Sequence, residues 1–403
     1  MTNKRCGVII IKILVHLRDC IINKSRYKKM KIQYPDYDNS ILSAASSVLK
    51  YYGAEHKHKS LPVLDKALEK RYKNIVFMVF DGMGMSVMKK NLEKEGFFFK
   101  NTVAEISSVF PPTTTAATTT FDSGLSPLEH GWLGWCLYFE ELDANINLYP
   151  NTIQGSGGVP AADYNAAMRY LPYINIRDKI VMANKNIDAR IVAPFADYNI
   201  NSVFDICSSV KSICSEEKQK YIYAYWHEPD GIMHQEGTGS ISTKVCINDI
   251  ETQVREMCGE LADTLVIVTA DHGMKDTETI RLSDFPEILS CLVRLPSVEP
   301  RAMTFFIKEG CRRKFEKVFI DAFGKDYVLM TKEEVFDKAL FGFGDIHPRT
   351  KGFIGDYMAV AVGSVSIEVV PSDALPKKAL HAGLTYDEMA VPLILIDCDN
   401  INK

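Results

Sequence analysis

The sequence predicts an α/β fold: a three-layer α/β/α sandwich around a mostly parallel central sheet, with a small cap inserted late in the chain. Two observations predict it. Apolar runs of strand length recur with helical patterns between them, and short segments bearing Asp, His and Thr sit where those runs end. Residues 74–80 (NIVFMVF) form a continuous apolar run, as expected of a strand buried on both faces. Runs 221–226 (YIYAYW) and 265–270 (LVIVTA) are of the same kind, and 393–396 (LILI) is a fourth. Strands interleaved with helices imply a parallel sheet covered on both sides. Ligands of such sheets bind outside the carboxyl ends of the strands, where Asp81, Asp230 and Asp271 all stand.

The elements follow in order. Gly82-Met83-Gly84 turns the first strand into a helical pattern carried by Val87, Met88, Asn91 and Leu92. Residues 136–175 are rich in Asn, Gly, Pro and Tyr, include Gly155-Ser156-Gly157-Gly158, and read as a long loop beside the site. Residues 300–365 break the alternation with a basic helical run (308–317), a mixed-charge helix (332–338) and a further strand (358–362). The expected division is therefore a core of 30–299 with 366–403, an inserted cap of 300–365, and an N-terminal extension of 1–29. The apolar run 6–15 in that extension is broken by Lys12, is too short to span a bilayer, and is followed by no small-residue cleavage site. Met30 is an alternative start, and a cytoplasmic location is expected, with export through the N-terminal apolar run as the alternative.

Composition sets outer bounds. The chain has 403 residues, 46% hydrophobic and 24% charged, enough for a large core and an insertion. A net charge of −4 with no basic patch of interleaved aromatics argues against binding a nucleic-acid polymer. Ten cysteines without a Cys-x-x-Cys pair indicate neither a zinc knuckle nor a disulfide framework.

The chemistry lies in the strand-end segments. These are Phe80-Asp81-Gly82, Phe110-Pro111-Pro112-Thr113-Thr114-Thr115, Glu228-Pro229-Asp230 with His234, Thr269-Ala270-Asp271-His272-Gly273, and a single His381. Carboxylate and imidazole are ligands for borderline divalent ions such as zinc. Asp230 and His234, four apart, share a face if helical. Asp271 and His272 would point oppositely on a regular strand, but an irregular turn can offer both. An isolated strand-end Asp is more often a helix cap than a ligand, so the weight falls on the combination.

In that combination the sequence resembles the alkaline phosphatase superfamily, and within it the type I phosphodiesterase/nucleotide pyrophosphatase-like branch. The resemblance spans nearly all of 74–397. It rests on these segments and on Ser123-Gly124-Leu125-Ser126-Pro127-Leu128-Glu129-His130-Gly131 and His381-Ala382-Gly383-Leu384. It implies an alkaline phosphatase-like fold and two divalent ions about 4 Å apart, zinc expected with manganese or magnesium as alternatives. Asp230, His234 and His381 would hold one ion. Asp81, Asp271 and His272 would hold the other, beside the nucleophile. The spacing usual in that branch, counted back from Ser123-Gly124, implies Thr114 as the nucleophile and an additional metal ligand, with Thr113 the alternative. The segment departs from the family's Thr-Phe-Pro-Asn. The bland alternative is that these threonines merely cap a helix starting near Ala116, whose N-terminal amides would also favour a bound phosphate.

The resemblance implies a hydrolase of phosphate esters, diesters or nucleotide pyrophosphates favoured, working through a phospho-threonine. A phosphomonoesterase, a phosphonate hydrolase, a metal-dependent phosphomutase and a non-catalytic nucleotide-binding member are the alternatives. A sulfatase would need a Cys-x-Pro-x-Arg context, which is absent. Trp132, Trp135 and His347 are candidate contacts for a small-molecule ester or nucleotide. The bland alternatives are core packing for the tryptophans and a structural role for His347 in the cap. His130 reads as a turn residue, and His227 as a neighbour of the site.

Overall fold

A computed structural model describes residues 31–370 and 375–401. The expected extension of 1–29, and the export alternative that rests on it, lie outside the described residues. Among those described, no helix is long and apolar enough to cross a membrane.

Six strands build the central sheet: β1 (Asn74–Phe80), β2 (Thr102–Ser107), β6 (Asp188–Val192), β7 (Lys220–Trp226), β8 (Thr264–Thr269) and β17 (Ala390–Asp397), in the order β2-β17-β8-β1-β7-β6. β1, β6, β7 and β8 run parallel, and only β17 runs against its neighbours. The sequence-level strands are thus found, and β1 is buried at every position, as its unbroken apolar run requires. Strand β7 carries Tyr221, Tyr223 and Tyr225 on one face at period two. That face meets the helix Thr114–Ser123, where Phe121 packs against Tyr223 with ring centroids 6.4 Å apart. Helices Ile41–Tyr51 and Ile176–Ala183 join it there, whereas Met85–Asn91, Val203–Ser215 and Ile241–Glu260 pack together in a second group. The result is the three-layer sandwich.

A second, antiparallel sheet draws strands from two separate stretches. Strands β3 (Cys136–Phe139), β4 (Ala144–Asn147) and β5 (Thr152–Ile153) come from the first. Strands β11 (Ser297–Glu299), β12 (Ala302–Phe305), β13 (Tyr327–Thr331) and β14 (Tyr357–Ala361) come from the second, in the order β13-β14-β12-β11-β3-β4-β5. The stretch 136–175 is therefore not a long loop. Asn145 and Asn147 alternate with Ile146 in β4, and Ile146 is buried in the apolar core under this sheet. Both faces of the sheet are covered. Met358 and Val360 of β14 enter one core with Trp132 and Phe139, and Tyr357, Ala359 and Ala361 enter another with Phe315 and Phe319. The helix Lys332–Asp337 matches the run expected at 332–338, and the helix Arg312–Phe323 overlaps the run expected at 308–317 but begins after the turn at 308–311 and continues beyond 317. Two short ribbons, β9 (Lys275–Asp276) with β16 (Ala379–Leu380) and β10 (Glu278–Arg281) with β15 (Val365–Glu368), complete the strand pairing among the described residues.

Candidate active site

Strand ends deliver the site. β1 closes on Asp81, whose amide bonds the Trp226 carbonyl at the end of β7, and the Asp230 amide bonds the Asp81 carbonyl. Gly82 follows at φ 72°, and a Cβ there would meet Met233 Cε at 3.0 Å and Asp230 Cβ at 3.2 Å. Glycine is what lets the chain turn while Asp81 and Asp230 stay close. The helix Asp230–Glu236 then puts His234 one turn on, with Nε2 3.2 Å from Asp230 Oδ2. After β8 the chain leaves regular strand geometry, so Asp271 and His272 both face inward, His272 Nε2 lying 3.4 Å from Asp271 Oδ2 and 3.2 Å from Asp81 Oδ1. His381 comes from the loop after β16 and stacks on His272 with centroids 3.9 Å apart. The next residue, Ala382, holds φ 88°, a strained value for a residue with a Cβ.

The three imidazoles share one arrangement. His234 Nδ1 lies 2.7 Å from the Ala379 carbonyl, His272 Nδ1 2.9 Å from that of Gly273, and His381 Nδ1 3.2 Å from that of Pro112. A carbonyl only accepts, so each Nδ1 carries a proton and each Nε2 is turned toward the carboxylates. This is the tautomer a metal-ligating histidine adopts when a backbone group holds its other nitrogen. Potential ligand atoms fall into two groups whose members lie within 4.8 Å of one another: Asp230, His234 and His381, and Asp81, Asp230 and His272.

Electrostatics argue the same way. Asp81 and Asp271 are buried and Asp230 is partly exposed beside them, and Asp230 Oδ1 and Asp271 Oδ2 have no hydrogen-bond partner. Burial, then the Asp81 carboxylate, pushes the Asp271 carboxyl well above its ordinary range. Burial pulls His272 down, but the Asp271 and Asp81 carboxylates outweigh it and raise the imidazole to about 10. For His381, burial and then His272 depress the ring. Two orphaned carboxylate oxygens beside three Nε2 atoms form a donor set that fits divalent cations.

The threonines occupy different places. Thr113 is the N-cap of the helix Thr114–Ser123 and is buried, its hydroxyl donating to Glu299 Oε1 at 2.7 Å. Thr114, the first helical residue, has Oγ1 3.3 Å from Asp81 Oδ2 and 3.2 Å from His272 Nε2. The helix N-terminus beside it suits an anion.

The remaining candidates spread out. Trp132 is buried, with Nε1 donating to the Leu171 carbonyl at 2.9 Å, whereas Trp135 is 43% exposed and edge-on to Tyr149 at 5.9 Å. His347 contacts Leu128, Arg349 and the Gly131 turn, not the carboxylate cluster. His227 is exposed beside Glu228, with Nε2 3.9 Å from Oε1.

His130 is fully buried. Its Nδ1 accepts from the Trp132 amide at 3.0 Å, and its Nε2 lies 3.2 Å from the Thr120 hydroxyl. Burial holds the ring down to about 3. The unfolded chain therefore binds a proton that the folded chain does not between pH 6.5 and about 3, and stability must fall as pH drops through that window. We expect His130→Asn to flatten the decline in urea midpoint between pH 7 and pH 5. An unchanged slope would show that His130 takes up no proton on unfolding.

Sequence reasoning missed four residues. The Tyr225 hydroxyl donates to Asp81 Oδ2, and Phe195, 70% exposed, packs on the Tyr225 ring at 5.8 Å. Tyr149 meets Thr118, one helical turn from Thr114, hydroxyl to hydroxyl at 2.7 Å. Glu299 joins Thr113 to Trp135. Only Tyr225 left a signal, the alternation Tyr221-x-Tyr223-x-Tyr225 ending at a strand terminus.

The family model for type I phosphodiesterases/nucleotide pyrophosphatases matches residues 75–294, which contain every site residue above except Glu299, His347 and His381. The chain belongs to this family. Its members are hydrolases of phosphoester bonds, and this chain is an enzyme of that class. Similar solved structures agree in fold. Murine ectonucleotide pyrophosphatase/phosphodiesterase 5 matches at 19% identity with a TM-score of 0.58, over 79% of this chain and 87% of that one. An inactive variant of the murine protein, solved with AMP, matches at 18% identity and a TM-score of 0.58, over the same shares of both chains. Phosphonoacetate hydrolase from Sinorhizobium meliloti 1021, in complex with phosphonoformate, matches at 16% identity and a TM-score of 0.57, over 79% of this chain and 89% of that one. No curated protein sequence matches the chain significantly.

Proposed function

We propose that this chain hydrolyses phosphate diesters or nucleotide pyrophosphates through a covalent ester on Thr114. The observation that carries the reading is the setting of Thr114 Oγ1, 3.2 Å from His272 Nε2 and 3.3 Å from Asp81 Oδ2 at the N-terminus of its helix. In the proposed reaction Thr114 Oγ1 attacks phosphorus in line, its proton passing toward Asp81, and the P–O bond on the far side breaks to release an alkoxide or phosphate, the alkoxide taking its proton from water. Water then hydrolyses the phospho-threonine.

Asp230, His234 and His381 would hold one divalent cation, and Asp81, Asp271, His272 and Thr114 the other, zinc being favoured by the mixed nitrogen and oxygen donors. Such ions supply charge neutralisation at the attacking and leaving oxygens. The backbone carbonyls of Ala379, Gly273 and Pro112 keep each Nε2 free for this work. Tyr225 steadies Asp81 by donating to it.

Nucleotide substrates are favoured by the exposed rings near the site. Phe195 packs on Tyr225, and Trp135 stands against Tyr149, so a planar base has aromatic surfaces to meet. The AMP complex of the murine relative agrees with this choice. We assign the cap role to the second sheet, its strands at 136–153 included, together with the expected 300–365 segment.

A substrate panel tests the reading. Bis-p-nitrophenyl phosphate and a nucleotide pyrophosphate should turn over faster than p-nitrophenyl phosphate or phosphonoacetate, and the reverse ranking would move the assignment to a monoesterase or phosphonate hydrolase. Exhaustive chelation should abolish turnover and lower the melting temperature, and zinc should restore both. Full activity in protein shown to be metal-free would defeat the two-cation proposal.

A further inference from the structure

Glu299 ends β11 with a buried carboxylate, and two parts of the site meet on one of its oxygens. Glu299 Oε1 accepts from Thr113 Oγ1 at 2.7 Å and from the Trp135 amide at 2.7 Å. The first donor belongs to the residue at the N-cap position of the helix that begins with Thr114. The second opens the segment whose exposed indole stands against Tyr149. Tyr149 returns to the same helix through Thr118. Glu299 thus closes a ring of contacts joining the second sheet, the nucleophile helix and an aromatic wall.

The backbone is bent to make this arrangement. Val298 holds φ 81°, in the left-handed region, where a β-branched residue is a true outlier. Gly134 lies so close that a Cβ there would meet Val298 Cγ1 at 2.7 Å and its carbonyl oxygen at 2.8 Å. Val298 also pairs with Cys136 across β11 and β3. Strain of this sort persists where surroundings over-determine it, and here it aims the next side chain at Thr113 and Trp135.

We propose that Glu299 is a positioning residue of this enzyme, setting the Thr114 hydroxyl and the Trp135–Tyr149 wall in one fixed relation across the two lobes. The inference rests on the assignment of Thr114 as nucleophile and of Trp135 as a substrate contact. Glu299 touches neither the reacting atoms nor the carboxylate–imidazole cluster. Its effect passes through two hydrogen bonds, so acceptor geometry matters and charge does not.

That distinction makes the test. Glu299→Leu removes the acceptor, and Glu299→Gln keeps a carbonyl oxygen for both donors. In variants matching wild type in circular dichroism and zinc content, Glu299→Leu should lower kcat for bis-p-nitrophenyl phosphate about 10²-fold, the cost of a misplaced reactive group. Glu299→Gln should recover most of that loss. KM for the bis-aryl ester should rise several-fold in Glu299→Leu, while KM for methyl p-nitrophenyl phosphate, with one ring fewer to place, should hold. Wild-type kcat in Glu299→Leu would overturn the proposal. Equal losses in Gln and Leu would overturn it too, because charge would then be the operative property. Unchanged KM for both esters would remove Trp135 from it. If Glu299→Leu does not fold, Thr113→Val withdraws one donor without changing the buried volume, and undiminished kcat there is equally fatal. Wild-type turnover in Thr114→Ala would instead overturn the nucleophile assignment, a result read independently of any Glu299 variant.

Discussion

Thr114→Ala is expected to lower kcat for bis-p-nitrophenyl phosphate about 10³-fold or more, a barrier increase of roughly 4 kcal/mol. Thr113→Ala should cost about tenfold. The contrast follows from what each hydroxyl touches. Thr114 Oγ1 has Asp81 and His272 within 3.3 Å and sits at the opening of a helix. Thr113 Oγ1 is committed to Glu299 and buried, so its loss disturbs alignment and removes no reacting atom. An unassisted threonine hydroxyl is almost wholly protonated at neutral pH and a poor nucleophile. Removing it from a site built to activate it should therefore forfeit the covalent route, leaving only water positioned by the same surroundings. A pre-steady-state burst of p-nitrophenol in wild type, absent in Thr114→Ala, would report the ester directly. If Thr113→Ala loses activity and Thr114→Ala keeps it, the roles are reversed.

How far the sequence reveals this site depends on how local each cause is. Strand β1 coincides with the apolar run 74–80 because a strand buried on both faces needs every side chain apolar, a purely local demand. Asp81, Asp230 and Asp271 are visible at strand ends because parallel topology collects such ends on one edge. The spacing of Asp230 and His234 predicts a shared helical face, and the helix Asp230–Glu236 supplies it. Strands β3 to β5 were hidden because their outward positions are Asn and Tyr, and their burial comes from pairing with β11, about 160 residues later. The histidine tautomers were equally illegible. They depend on carbonyls of Ala379, Gly273 and Pro112, and two of these come from other segments. Glu299 lies in a Val-Glu-Pro context that says nothing of Thr113 or Trp135. What stayed unread is tertiary pairing, which binary pattern and spacing do not encode.

The second large effect is expected at the Arg301–Glu388 pair, where Arg301→Met should cost about 3–5 kcal/mol of stability and lower activity with it. Both side chains are fully buried, with Arg301 Nε 2.7 Å from Glu388 Oε1 and Nη2 2.8 Å from Oε2. The guanidinium also donates to the Val365 and Gly363 carbonyls. Glu388 in turn accepts from the Gly383 amide at 2.7 Å and the Thr385 hydroxyl at 2.6 Å, and its own carbonyl accepts from Gly273 at 2.8 Å. One carboxylate thus ties the turn between β11 and β12 to the loop that carries His381, while its backbone ties that loop to the turn after Asp271 and His272. Losing Arg301 leaves this carboxylate buried without its counter-charge, and uncompensated charge is what makes breaking such a pair costly. The double variant Arg301→Met/Glu388→Leu should be more stable than the sum of its singles by at least about 1 kcal/mol, since neither charge is then stranded. Its activity should stay low, because Gly383 and Thr385 have lost the acceptor that shapes the His381 loop. Urea midpoints for the four proteins, with kcat measured on each, separate the two consequences. Strict additivity would mean that the pair is not coupled. Recovery of stability and kcat together would mean that Glu388 serves packing alone and does not set the position of His381.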